Sequence, residues 1–172
     1  IDPSDVVTYL GASIYPDGRL KSELNRRLGA AWSDFSKLSR LWNNTSLSNE
    51  RKIRVYSAVV VTRLLYSLSS AWLNVAELRR LNGFHWRCLR RVLRIKPSFI
   101  SRVSNSRVLQ AADQIELGRQ LLQQQLALYG KVLRAPGTDP LCDLTFIPGT
   151  DMPAANMFVR RVGRPMNEWA EM

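Results

Sequence analysis

The sequence predicts an all-α protein: a helical bundle of about five helices, with a short N-terminal strand-and-turn remnant and an irregular C-terminal tail. Three observations predict it. Leucines and aromatics recur at three- and four-residue steps across residues 20–135, a strand pattern occurs only near the start, and proline and glycine gather after residue 135. The expected divisions are therefore residues 1–19, 20–135 and 136–172. At 172 residues and 45% hydrophobic content, the chain is long and apolar enough to build a real core.

Val6, Val7, Thr8 and Tyr9 have strand character, Gly11 breaks the run, and Pro16-Asp17-Gly18 signals a turn. So few strand residues make no stable sheet alone and need partners. Leu20, Leu24, Leu28, Trp32, Phe35 and Leu38 then step along one helical face until the polar break at residues 43–46. Ser48 is placed to cap a second helix, with Glu50 in its first turn and Ile53, Tyr56, Val60 and Leu64 on its apolar side.

The third helix opens at Asn74 with Glu77 three residues on, a capping-box spacing, and is expected to end at Pro97. At 100° per residue, Leu78, Leu81, His85, Cys88, Leu89 and Val92 share one side. Arg80, Arg87, Arg91 and Arg94 cluster within about 60° on another, Arg79 and Arg90 widen that arc, and Lys96 follows. Ser104 starts a short helix through Ala112. A last helix covers about residues 116–134, with Leu122, Leu126, Tyr129 and Leu133 in one stripe and Leu121, Leu128 and Val132 beside it.

The charge is unevenly placed. The chain carries 25 basic and 14 acidic residues, a net charge of +11, and all but five of the basic residues are arginine. Thirteen lie between Arg51 and Arg107 against a single acid, Glu77, while the rest of the chain is close to neutral. A concentrated basic face without acids at i, i+4 repels itself and predicts a polyanionic partner. Arginine suits phosphate because its planar fork makes two parallel hydrogen bonds. Trp86, between the apolar side and the arginine arc, is placed either to stack on a sugar or base or to sit at the core edge.

The residues that enzymes use are sparse. Asp2 and Asp5, and Asp139 and Asp143, are pairs outside any strand-turn-strand setting, so neither reads as a two-metal carboxylate site. His85 and Cys88 share a helix face, but a zinc site needs four ligands and only Cys142 remains. They read as a core cysteine with a histidine at the edge of the apolar face. No catalytic and no metal-binding residues are assigned, and no cofactor is expected in this chain. No apolar run spans a bilayer and no secretory pattern opens the sequence, so an intracellular protein of nucleus or cytoplasm, without a membrane partner, is expected. The chain opens at Ile1 rather than Met, which reads as a segment of something longer.

The order of motifs resembles the region that follows the palm in reverse transcriptases of LINE-type, non-LTR retrotransposons. The motifs are YLG (Tyr9 to Gly11), PDGRL, ELNRRLGAAWSDFSKL, LSNERKIRVYSAVVVTRLLYSLSSAW, ELRRLNGFHWRCLRRVLRI, RVSNSRVL, LYGKVLRAP and RRVGRPMNEW. They cover the chain from about Val6 to Trp169. The resemblance implies that Tyr9, Leu10 and Gly11 are primer-grip-like residues at the end of the palm, and that the helices form the thumb and adjoining region. It also implies an upstream palm whose carboxylates hold Mg2+, and a parent enzyme that is an RNA-directed DNA polymerase. Ser67 stands where relatives often carry glycine, Lys131 where a histidine is frequent, and Met166, Asn167 and Glu168 where basic residues are usual.

The function expected is thus binding of template-primer, an RNA–DNA hybrid or DNA duplex, with little sequence preference, through Arg79, Arg80, Arg87, Arg90, Arg91, Arg94 and Lys96. The alternative is a co-opted or relic helical module whose arginines meet an acidic partner protein.

Overall fold

The computed structural model describes residues 6–9, 11–14, 20–136, 139–147 and 150, and most of that length is helical. Two compact units divide the chain, residues 1–125 and 126–172.

The first unit begins with β1 (Val7–Tyr9) and β2 (Ala12–Ile14), paired antiparallel with Val7 opposite Ile14 and Tyr9 opposite Ala12. The two-residue connection needs a left-handed residue, and Gly11 supplies it at φ +79°. A two-stranded ribbon is marginal alone. This one is anchored on α1 (Lys21–Lys37), where the Ser13 main-chain N–H donates to Glu23 Oε2 (3.4 Å). β1 thus pairs with β2 and the ribbon is tied to α1, while Val6, Val7 and Tyr9 stay exposed.

Helix α1 buries Leu24, Ala31 and Phe35 and continues into α2 (Ser39–Asn43), whose Trp42 is buried with its indole N–H donating to the Phe35 carbonyl (2.8 Å). Trp32, expected in the same apolar series, is 39% exposed. Helix α3 (Asn49–Tyr56) is capped by Ser48, whose Oγ accepts from the Arg51 N–H (3.3 Å). It runs through a π-helical turn (Ser57–Val61) into α4 (Thr62–Leu65). The widened turn inserts one residue into the helical register. Val60, Val61, Leu64 and Leu65 are all buried. Ser67 then reverses the chain at φ +60°, ahead of a 3₁₀ turn (Leu68–Ser70).

Helix α5 (Val75–Val92) is the central element. Its capping box is formed: Asn74 Oδ1 accepts from the Glu77 N–H (2.9 Å), and Glu77 Oε2 accepts from the Asn74 N–H (2.8 Å). Leu81, Phe84, Cys88, Leu89 and Val92 are buried, each contributing about 1.5–3 kcal/mol for a large apolar side chain. The helix does not reach Pro97. It closes two residues after Val92 in a Schellman turn, with Arg94 at φ +58°, the Ile95 N–H on the Arg90 carbonyl (2.8 Å) and the Arg94 N–H on that of Arg91 (3.4 Å). Glycine is the usual residue there, and an arginine in this conformation costs about 1–2 kcal/mol.

After α6 (Ser98–Ser101), α7 (Asn105–Ala112) starts on Ser104, whose Oγ accepts from the Arg107 N–H (3.3 Å). It ends in the same type of turn, with Asp113 at φ +49°. Helix α8 (Leu117–Leu133) is fixed at its start by Asn82, whose Oδ1 accepts from the Gly118 N–H (2.9 Å). Leu117 and Leu121 join the core, whereas Leu122, Leu126 and Leu133 of the expected stripe are exposed. Apolar residues occur nearly all round this helix, so the pattern alone did not single out the line that packs.

In the second unit Val132 and Phe146 are buried, and the Tyr129 and Phe146 rings lie 5.8 Å apart. The expected irregular tail contains a short helix, α9 (Pro140–Thr145), whose N-cap Asp139 accepts from the Leu141 N–H (2.9 Å). Asp139 thus acts as a cap. Asp2, Asp5 and the RRVGRPMNEW motif lie outside the described residues.

Candidate nucleic-acid interface

Arg80, Arg87 and Arg91 rise along α5 and Arg94 follows in its closing turn, all with exposed side chains, and Arg79 and Lys96 are exposed as well. At 1.5 Å per residue the line from Arg80 to Arg94 is about 20 Å long, the axial extent of about six base pairs. None of these six pairs with a carboxylate among the described residues. Glu23 is taken by Arg26 and Arg27, Asp34 by Arg63 and Lys37, and Glu50 by Arg54.

Three of the arginines are nevertheless positioned. Arg80 Nη2 donates to Asn25 Oδ1 of α1, Arg87 Nε donates to the Gly83 carbonyl (3.2 Å), and Arg94 Nη2 donates to the Asn43 carbonyl at the end of α2 (2.6 Å). Each such bond uses one N–H of five and leaves others for an incoming acceptor. Arg87 also lies over the Trp32 ring at 6.0 Å from its centroid. Trp32 in turn packs on Phe35 (5.8 Å) and edge-on to Phe84 (6.1 Å). It is thus an aromatic floor at the seam of α1 and α5. The helical wheel of α1 assigned Trp32 to the core; only the placement of α5 shows its exposed rim under an arginine.

Arg90 is not part of this ridge. It is 7% exposed, and its guanidinium donates to the carbonyls of Val103 (2.7 Å) and Lys96 (3.2 Å) and to Asn105 Oδ1 (2.9 Å). A wheel measures angle from the helix's own apolar side; here residues 96–105 return over the opposite side and cover Arg90. It braces that loop. Trp86 is half-buried, with its indole Nε1 enclosed and unpartnered among the described residues.

Of the primer-grip-like residues, Tyr9 is 65% exposed on β1 and Leu10 lies outside the described residues. Gly11 is held through its carbonyl, which accepts from Arg26 Nη2 (2.8 Å) and Arg27 Nη2 (3.2 Å). Both arginines also grip Glu23, Arg26 through Nε to Oε2 (2.8 Å) and Arg27 through Nε to Oε1 (2.6 Å). Burial raises the pKa of Glu23, but the hydrogen bonds and charges of Arg26 and Arg27 outweigh it and leave the carboxyl below its ordinary value. Nothing in the spacing of Glu23, Arg26 and Arg27 distinguished this buried cluster from a solvated helical charge run.

His85 and Cys88 are both fully buried, so the histidine lies within the core and not at its edge. The Tyr56 hydroxyl is 2.9 Å from His85 Nδ1, and their rings stack at 5.7 Å. The other ring nitrogen, Nε2, is enclosed without a hydrogen-bond partner among the described residues. Burial pushes the Cys88 thiol up to about 12 and the Tyr56 hydroxyl well above its ordinary value, so neither is a nucleophile. Among the described residues no three His, Cys, Asp or Glu side chains converge as a metal site, and no helix is long and apolar enough to cross a membrane.

Burial lowers the His85 pKa from 6.5 to about 4, the Ile115 main chain acting in the opposite direction. Between those pH values the unfolded chain takes up a proton that the folded chain refuses. The stability due to this difference is complete above about pH 6.5 and is lost as pH falls toward 4, by roughly 3 kcal/mol in total. Urea unfolding of wild type and His85→Gln at pH 7.5, 6, 5 and 4 should show the wild type losing that extra amount. Parallel declines in the two proteins would contradict it.

Comparison of the chain with models of known protein families, with curated proteins and with solved structures finds no match.

Proposed function

We propose that this chain is a template-primer-binding thumb segment of a non-LTR reverse transcriptase, gripping an RNA–DNA hybrid or DNA duplex by its backbone. One observation carries the reading. Six exposed cations, Arg79, Arg80, Arg87 and Arg91 on α5 and Arg94 and Lys96 just beyond its end, have no carboxylate partner among the described residues. Such a ridge suits phosphate oxygens, and backbone contacts position a duplex without reading its sequence. The order of family-like motifs supports the same reading, with catalytic carboxylates and their Mg2+ assigned to a palm rather than to this chain.

Fluorescence anisotropy with a 16-base-pair RNA–DNA hybrid and DNA duplexes of unrelated sequence, between 50 and 300 mM salt, tests it. Six neutralised phosphates give a log–log salt slope of about −5, with similar affinities across sequences. A flat salt dependence, or tighter binding to polyglutamate than to any duplex, would instead favour an acidic protein partner.

A further inference from the structure

Phe99 is 81% exposed and Ile100 beside it 56%. They occupy α6, between two left-handed residues, Arg94 (φ +58°) and Arg102 (φ +54°). This tip is not loosely built. Ile95 and Val103, on either side, pack against the core, and the buried Arg90 guanidinium ties Lys96, Val103 and Asn105 together from beneath. Ser101 Oγ donates to the Lys96 carbonyl (3.0 Å) and accepts from the Val103 N–H (3.3 Å). An aromatic ring is thus held out in water by a loop tied at Lys96, Ser101, Val103 and Asn105, although folding gains nothing from its exposure.

The charge around it selects the partner. Arg94, Lys96 and Arg102 are exposed, and no acid occurs in the sequence between Glu77 and Asp113. The tip directly follows the arginine ridge in the chain. A bilayer is the weaker match, because one aromatic and one isoleucine bury less apolar surface than a single acyl chain, which itself gives only marginal membrane binding. A nucleobase offers the flat face that one ring needs, carried on the anionic backbone that the rim attracts.

We propose that Phe99 is a stacking platform for an exposed nucleobase at the end of the duplex held on the ridge, the terminal pair or the first unpaired base. This rests on the duplex-binding reading above. Affinity of the full chain is compared for two 16-base-pair DNA duplexes of one sequence. The first has a single-nucleotide 3′ overhang of 2-aminopurine, and the second has both ends closed by hexaethylene glycol linkers. Stacking makes the overhang duplex bind at least about fivefold tighter, with quenching of 2-aminopurine fluorescence. Phe99→Ala brings the ratio of affinities to about one and abolishes the quench; Phe99→Trp keeps both.

Equal wild-type affinities for open and closed duplexes would overturn the platform and leave the ridge standing. So would a preference that survives Phe99→Ala. Phe99-dependent partitioning onto phosphatidylserine vesicles, without quenching, would overturn it in favour of a lipid surface. Failure to bind either duplex at 50 mM salt would overturn the duplex reading, and the platform with it.

Discussion

Replacing Arg80, Arg87, Arg91 and Arg94 together with glutamine is expected to flatten the salt dependence of duplex binding by between 3 and 4 log units per log unit of salt. Each lost phosphate contact removes about 0.9 from that slope, which lowers affinity at 0.15 M salt by roughly two to three orders of magnitude. Helicity should not change, because all four side chains are exposed. Replacement by lysine keeps the charge and most of the slope but loses the planar fork. Arg90→Gln is the informative contrast: it unfastens the loop over residues 96–105 and lowers stability, since its N–H groups end on internal acceptors. A slope that survives the fourfold glutamine change would place the interface elsewhere on the molecule.

The second large effect is expected at Arg27. Its guanidinium binds Glu23, the Gly11 carbonyl, Ser67 Oγ (2.7 Å) and the Arg63 carbonyl (3.3 Å), and lies over the Tyr66 ring at 5.3 Å. Arg27→Met leaves the buried Glu23 with the half-exposed Arg26 and the Ser13 N–H and takes a donor from three further acceptors. Breaking a buried pair in this way costs about 3–5 kcal/mol, which lowers Tm by on the order of 10 °C for a chain of this size. Adding Glu23→Gln to Arg27→Met should recover part of the loss, because a buried charge that has lost one of its two cations is gone. Hydrogen exchange at β2 should speed up in the single variant. A melting temperature within 2 °C of wild type would refute the assignment.

These two clusters differ in how far the sequence discloses them. The ridge was legible because exposed arginines at a helical period leave a mark in one dimension, and Asn74 with Glu77, Ser48 and Ser104 marked helix starts that the structure reproduces. Arg27 and Arg90 were not legible, because a buried arginine has the same one-dimensional mark as an exposed one; what buries it is a segment distant in the chain. The same limit applies to Trp32, whose exposure depends on where α5 lies. The π-helical turn at Ser57–Val61 leaves its apolar residues in a sequence that also fits a regular helix. Leu93 to Arg94 carried no stop signal either, since the left-handed position is filled by arginine where glycine would have announced it. Ser67 is the counterpart. It adopts φ +60° without a glycine to announce it, and its hydroxyl accepts from Arg27.

The shared carbonyl of Gly11 also has a mechanical consequence. Tension applied to the chain at Val6 loads β1 first, and a two-stranded ribbon opens one rung at a time from its free end. The turn behind it is fastened differently: two guanidinium groups from adjacent positions of α1 hold one oxygen, and both are themselves clamped by Glu23. The three rungs between β1 and β2 are therefore expected to part before the Gly11 turn leaves α1. Under load the hairpin is expected to yield first and the helices, α5 with its exposed arginines among them, later.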